Sequence, residues 1–253
     1  MPTSSRSLRV LIVTPTLGAS PWLRATIESI GRLDVPYVHV LVAPENKVAA
    51  LAATFPGSKV VAERGAGMYA AINTGIASEN EWDAFTYVND DDLLLPDFAV
   101  LARTVQNDGV TPVIAYGKVQ LIDARDRRIG SIPLSPFPSL NRALYAQRLE
   151  PVYQHGTLVT RAAWQKLGPF DESLRFCGDS EFLARACTRD IRFRHVGGPP
   201  VAAFRLRTGQ LTKNRAAMSA ERIRVDQKLG LLAPRMTLRH HWARAVFRLA
   251  NTG

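Results

Sequence analysis

The chain's 253 residues are 46% hydrophobic and 21% charged, enough apolar material for one large domain or two small ones, which excludes disorder throughout. No run approaches the ~18 uninterrupted apolar residues of a membrane-spanning helix, residues 1–9 hold no apolar signal core, and two isolated cysteines, Cys177 and Cys187, make neither a disulfide scaffold nor a zinc pattern; a reduced, cytoplasmic protein is expected. The formal net charge of +10 is uneven: from Ala203 onward eleven Lys and Arg face only Glu221 and Asp226, a net of +9, and the preceding residues are nearly neutral.

Residues 10–13 form an apolar, β-branched run closed by Thr14-Pro15-Thr16, the pattern of a buried strand entering a loop. Ser20-Pro21 then supplies a helix start, with Leu23, Ile27 and Ile30 at helical spacing. A strand at 38–42, a helix at 47–54, a strand at 59–62, a helix at 67–77 and a strand at 84–88 continue the rhythm. Strands alternating with helices imply an α/β fold with a mostly parallel sheet, whose ligands bind beyond the carboxyl ends of the strands.

Pro96 opens a helix over 97–106, and strand pieces follow at 113–116 and 118–122. The segment 129–141, with Pro133, Pro136 and Pro138, reads as a loop over the site. Beyond it come a strand at 158–159, a helix at 161–167, the turn Gly168-Pro169-Phe170-Asp171 and a helix at 180–188. In the tail, Leu238, Trp242, Val246 and Leu249 recur at helical spacing within 234–249, among Arg235, Arg239, Arg244 and Arg248. Such a stripe fits an anionic membrane interface, and equally an amphipathic helix packed on the domain.

The sharpest chemical feature is Asn89-Asp90-Asp91-Asp92 at the end of an apolar strand. Successive carboxylates repel one another, and a hard divalent cation that also bridges to phosphate relieves the repulsion; the plainer alternative is a solvated acidic turn. Asp179-Ser180-Glu181 is a second acidic cluster, suited either to capping its helix or to supplying a general base. A P-loop, a GxGxxG after the first strand and a GxSxG elbow are all absent. His155 is a candidate ligand, or a structural histidine beside a strand.

Taken in order, these pieces resemble the inverting glycosyltransferases of family 2, with their GT-A fold. Thr14-Pro15-Thr16 with 23–30 resembles the family's opening; Gly67-Met68-Tyr69-Ala70-Ala71-Ile72-Asn73-Thr74-Gly75-Ile76 its glycine-led helix; Asn89 to Pro96 its metal motif; His155-Gly156-Thr157 through Asp171 and Asp179 to Arg185 its later motifs. The similarity runs from about Arg9 to about Thr212. Glu45 is the only carboxylate where the family has two after the second strand, Ala70 replaces an aspartate, Thr74 replaces a lysine, and Leu17-Gly18 replaces an aromatic-Asn pair.

The resemblance implies a catalytic domain over 1–212, a basic helical extension over 213–253, and transfer of a sugar from a nucleoside diphosphate to an acceptor hydroxyl with inversion. It assigns Asp92 and Asp91 to Mg²⁺ or Mn²⁺, Asp179 to the general base with Glu181 as fallback, and the nucleotide sugar to Thr14, Pro15, Thr16, Glu45, Arg64, Asn73, Asp90 and Asp91. Arg205 and Arg207 would reach phosphate as a loop closes, and His155 would face the acceptor. With the basic tail, the acceptor is expected to be a glycan, plausibly lipid-linked, in bacterial envelope polysaccharide or lipopolysaccharide synthesis at the cytoplasmic face of the inner membrane, with no nucleic acid partner. The rivals are a sugar-nucleotide pyrophosphorylase and a catalytically silent sugar-nucleotide or nucleic-acid binding protein.

Overall fold

A computed structural model describes residues 7–106, 111–207, 215–231 and 237–251. The first half alternates as expected: Val10–Pro15 (β1), Leu23–Ile30 (α1), Tyr37–Ala43 (β2), Glu45–Thr54 (α2), Lys59–Ala62 (β3), Met68–Ala77 (α3) and Ala84–Tyr87 (β4). The four strands pair in parallel in the order β3-β2-β1-β4. Strands covered on both faces read as unbroken apolar runs. Along β1 the faces alternate, Leu11 and Val13 packing with Ile72 and Ile76 of α3, Val10 and Ile12 with Phe98 and Leu101 on the other side. Gly75 permits the close approach of α3, because a Cβ there would lie 2.5 Å from a Val13 methyl and 2.9 Å from one of Val42.

The second half completes the sheet and adds another. Leu93–Leu94 (β5) leads through a short 3-10 turn into Ala99–Gln106 (α4), followed by Val113–Tyr116 (β6), Val119–Ile122 (β7), Arg128–Ser131 (β8), Asn141–Tyr145 (α5), Thr157–Thr160 (β9), Arg161–Leu167 (α6), Gly178–Ala186 (α7), Arg192–His195 (β10) and Ala202–Arg205 (β11). Seven strands lie in the order β10-β6-β9-β4-β1-β2-β3, with β9 antiparallel to both neighbours, and β5-β11-β7-β8 form a smaller sheet. Thr160 caps α6 by accepting the Ala163 N–H (3.3 Å).

One expectation needs correction. Segment 129–141 does not lie as a loop over the site: its first residues belong to the edge strand β8, and Leu134, Ser135, Leu140 and Asn141 are buried, with Tyr116 Oη donating to the Ser135 carbonyl (2.6 Å). The tail helices Arg215–Leu229 (α8) and Leu238–Leu249 (α9) pack on the same body. The expected boundary at 212/213, and Pro234 and Arg235 of the expected stripe, lie outside the described residues. No described helix is long and apolar enough to cross a membrane.

The two acidic residues of the basic tail are what anchor α8. Asp226 is 1% exposed and pairs with Arg148 (3.0 Å) and Arg222 (3.1 Å), and Arg222 also pairs with Glu150. Lys228 reaches Asp171 (2.6 Å).

One histidine gives the sheet a pH dependence. His39, buried in β2, lies between Ser58 Oγ (2.8 Å) and Thr14 Oγ1 (3.0 Å), and burial pushes its pKa down to about 4. Because the unfolded imidazole titrates near ~6.5, the unfolded chain binds the extra proton between these values. His39 therefore subtracts stability as pH falls from 6.5 toward 4. Urea titrations of wild type and His39→Gln across that window should show a smaller pH slope in the variant, by nearly one proton; identical slopes would overturn the assignment.

Candidate active site

β4 runs straight into the aspartate turn, closed by the Asp92 N–H donating to the Asn89 carbonyl (3.1 Å). Each acid there has a different set of partners. Asp90 accepts from the Thr16 hydroxyl (2.6 Å), and the Asp90 carbonyl accepts from Ser20 Oγ (2.7 Å). Asp91 pairs with Arg207. Asp92 is the most enclosed, 1% exposed, accepting from the Arg205 N–H (2.9 Å) and Asn89 Nδ2 (3.0 Å) with His155 Nε2 at 3.4 Å.

Burial, reinforced by mutual repulsion, raises the pKa values of Asp90 and Asp91 against the pull of Thr16 on the first and of Arg207 on the second. Arg205, fully buried, donates to the carbonyls of Asp91 (2.7 Å) and Asp123 (3.0 Å). The guanidinium carbons of Arg205 and Arg207 lie 5.3 and 5.7 Å from the Trp22 ring centre. Asn89 Oδ1 is buried without a hydrogen-bond partner among the described residues.

Asp179 stands in the first turn of α7, where the helix dipole favours an anion. Tyr69 Oη donates to Asp179 Oδ1 (3.1 Å), as does the Ser180 N–H (2.8 Å). Gly178 makes this possible, since a Cβ there would meet the Tyr69 ring at 2.6 Å. A small cavity is lined by Tyr87, Gln154, Thr157 and Asp179.

His155 and Tyr87 feel the fields of both acidic groups. Burial opposes the His155 charge, but the hydrogen bond to Asp92 and the fields of Asp92, Asp179 and Asp91 outweigh it, and its pKa is raised. Burial, then the fields of Asp179, Tyr69 and Asp92, raises that of Tyr87. The aspartate turn follows β4 directly, and Asp179 lines the small cavity beside Tyr87, so both acidic groups lie at the carboxyl end of the same strand.

Other expected residues are placed differently. Glu181, the fallback base, is withdrawn from solvent: it is 1% exposed, and its two oxygens accept from Arg185 Nε (2.9 Å) and Nη2 (3.0 Å). Residues two apart on a helix face nearly opposite ways, so Asp179 and Glu181 cannot share one role. Asn73 is spent as a clamp, exchanging hydrogen bonds with the Phe170 backbone (2.9 and 3.0 Å) and donating to Glu172 (2.8 Å). The Thr14 hydroxyl is buried against His39, whereas Thr16 stands at the aspartate turn. Pro15 ends β1, Glu45 is exposed in the first turn of α2, and Arg64 is exposed after β3, its N–H donating to Thr74 Oγ1 (3.1 Å).

Tyr69, Gly178 and Trp22 were not foreseen. The Gly178-Asp179 pair carried a usable signal, a glycine beside a candidate base; Trp22 carried none. Glu221 of α8 is the other unforeseen member: 3% exposed, it accepts the N–H groups of Arg175 (2.8 Å), Phe176 (2.6 Å) and Cys177 (2.6 Å), the segment that leads into α7.

The fold is that of a GT-A-type glycosyltransferase, mixed α/β with a mostly parallel sheet flanked by helices. The chain superposes on S. aureus TarS 1-349 in complex with UDP-GlcNAc with a TM-score of 0.66 at 13% identity, over 96% of this chain and 72% of that one. On the S. aureus TarS 1-349 complex with UDP the TM-score is 0.61 at 13% identity, over 97% and 81%. A longer TarS structure gives 0.65 at 13% identity, this chain covering 43% of it. No protein-family model and no curated protein matches the sequence.

Because three N–H groups share one buried carboxylate, Glu221→Ala should lower the unfolding free energy by about 3 kcal/mol in a denaturant titration, with Glu221→Gln between it and wild type. Equal stability of all three would show that water replaces the carboxylate at no cost.

Proposed function

We propose that this chain transfers a sugar from a nucleoside diphosphate to an acceptor hydroxyl, inverting the anomeric carbon. One observation carries the reading: in a GT-A-type fold, a turn of three carboxylates and a separate helix-borne carboxylate both lie at the carboxyl end of β4, the first following that strand and the second lining a cavity beside its last residue, Tyr87. The TarS complexes with UDP-GlcNAc and UDP make UDP-GlcNAc the first donor to test.

Among the described residues no three acidic, histidine or cysteine side chains converge as a ready-made cation cage, but the chemistry of the turn is that of a Mg²⁺ or Mn²⁺ site shared with a bound diphosphate. Its groups are hard oxygen donors, its acids crowd one another, and the buried Asn89 Oδ1 lacks a partner among the described residues. Asp91 and Asp90 would hold the ion; Asp92, given first place by the family likeness, has its oxygens engaged by Arg205, Asn89 and His155 and would brace the turn. Bound there, the cation would neutralise charge on the departing diphosphate.

Asp179 accepts the proton of the acceptor hydroxyl as its oxygen attacks the anomeric carbon opposite the leaving group. The bond from that carbon to the phosphate oxygen breaks, and the nucleoside diphosphate leaves with the electron pair. Tyr69 orients the carboxylate through Oδ1, leaving Oδ2 for the acceptor. Arg207 turns its planar fork from Asp91 to the diphosphate when donor arrives.

The acceptor in this reading is a glycan on a lipid carrier, as in bacterial envelope polysaccharide or lipopolysaccharide assembly on the cytoplasmic side of the membrane, which suits the net +9 from Ala203 onward. A pyrophosphorylase is disfavoured because the turn after β1 spends its hydroxyls, Thr16 and Ser20, on Asp90 instead of on phosphate.

Thermal shift with UDP-, GDP-, CDP- and dTDP-sugars plus Mn²⁺ or Mg²⁺ should find a stabilising donor, with transfer then measured on the same donor. Asp91→Asn should abolish the metal-dependent shift. Asp179→Asn should keep it while slowing transfer by about 10²–10⁴-fold. No shift with any nucleotide sugar, or normal turnover in Asp179→Asn, would defeat the proposal. Separately, Arg207→Ala should weaken calorimetric binding of UDP with Mn²⁺ by roughly tenfold or more and, by leaving Asp91 without its cation, lower the melting temperature of the unliganded protein; undiminished affinity would remove Arg207 from the diphosphate.

A further inference from the structure

Helix α9 has two apolar sides. On one, Ala243, Val246 and Phe247 pack against Leu140, Ala143 and Leu144. That side is fastened by hydrogen bonds from Gln147 Nε2 to the His240 carbonyl (3.0 Å) and from Arg239 to the Ser139 carbonyl (3.1 Å), and by the Asn251 amide, which exchanges two bonds of 3.0 Å with the Leu134 backbone. Thr237 and His240 close its first turn with a capping box.

The other side faces out. Leu238 is 89% exposed, Trp242 59% and Leu249 74%. At 3.6 residues per turn these three and Ala245 share an arc about 60° wide, turned away from Ala243 and Phe247. Exposed His241, Arg244 and Arg248 occupy the neighbouring arc. Between Leu238 and Leu249 there is no acidic residue.

We propose that this outer side of α9 seats on an anionic lipid surface. Leu238 and Trp242 enter the boundary between headgroups and acyl chains, and Arg244 and Arg248 lie among the lipid phosphates. An indole on the edge of an apolar ridge suits that boundary, where its ring is buried and its N–H stays hydrated. Basic side chains beside the ridge add attraction only where the lipid is anionic.

The choice of partner follows from the charge. Two copies meeting ridge to ridge would bring their arginine arcs together, and a nucleic acid would leave Leu238 and Trp242 in water. Docking through Ala243, Val246 and Phe247 already holds the helix formed, so membrane contact need not order it. Packing on the domain and membrane contact are therefore compatible, because they use different sides of α9.

The proposal goes beyond sugar transfer and its readout needs neither donor nor metal. The full chain is sedimented with phosphatidylcholine vesicles and with phosphatidylcholine vesicles containing phosphatidylglycerol, and its oligomeric state is measured by ultracentrifugation. Wild type should partition strongly into the anionic vesicles and weakly into the neutral ones. Leu238→Ser/Trp242→Ser should lose about tenfold or more of that partitioning, and Arg244→Ser and Arg248→Ser roughly fivefold each, the arginine effect shrinking with added salt. Leu238→Ser alone, at a position 89% exposed, should keep the wild-type melting temperature while still partitioning less. Equal partitioning of wild type and the double variant would overturn the proposal. So would self-association of wild type that the double variant abolishes, which would make the ridge a contact between copies.

Discussion

Three successive aspartates at the buried end of a strand are tolerable only if each carboxylate finds its own hydrogen-bonding or ion-pairing partner, since an unsatisfied buried charge costs several kcal/mol. Asp90 leans on Thr16, Asp91 on Arg207, and Asp92 on Arg205, Asn89 and His155. These partners come from the end of β1, from β11 and the residue two beyond it, and from the turn before β9. Much of the second half of the fold can thus be understood as what it takes to hold this turn. The small sheet has a clear task in that scheme: β11, pairing with β5 and β7, delivers the Arg205 backbone and side chain to the turn.

The tail answers the same electrostatic problem beside Asp179. Helix α7 begins with Asp179, a carboxylate that has to stay available, so the N–H groups leading into the helix are occupied by another acid, Glu221. Ser180 is meanwhile tied to Glu150, which Arg222 neutralises. Burial dominates the raised pKa of Glu150, so Arg222 offsets only part of the cost of enclosing it. The wall beside Asp179 is therefore built partly by residues beyond the span in which the family likeness was legible.

How much could be read from the sequence depended on the range of the interactions involved. β1 and β4 were legible because both faces are buried and the runs are uniformly apolar. β8 was not, since Arg128, Ile129 and Ser131 are exposed on an edge and Gly130 interrupts the pattern. Nor was the antiparallel direction of β9 legible, because hydrophobic pattern reports burial and not strand direction. At the site, the aspartate turn and Asp179 were visible as local clusters. The different loads on Asp91 and Asp92 were not, because Arg205 and Arg207 lie more than a hundred residues away. The clamp that Asn73 makes was hidden for the same reason: its partner Phe170 lies 97 residues on.

The uneven charge changes meaning once the structure is known. The two acids after Ala203, Glu221 and Asp226, are both buried and serve as internal fastenings. The positive surplus is then not a single basic patch. Arg205 and Arg207 belong to the aspartate turn, Arg222 to the Glu150–Asp226 network, and Lys228 to Asp171. Arg244 and Arg248 are left exposed beside Leu238 and Trp242. A charge that as a sum suggested any polyanion is divided by the fold among a candidate diphosphate site, a structural latch and a helix face. Only the last pairs cations with a ridge of exposed apolar side chains, a combination that a hydrated polyanion would not reward and a lipid boundary would.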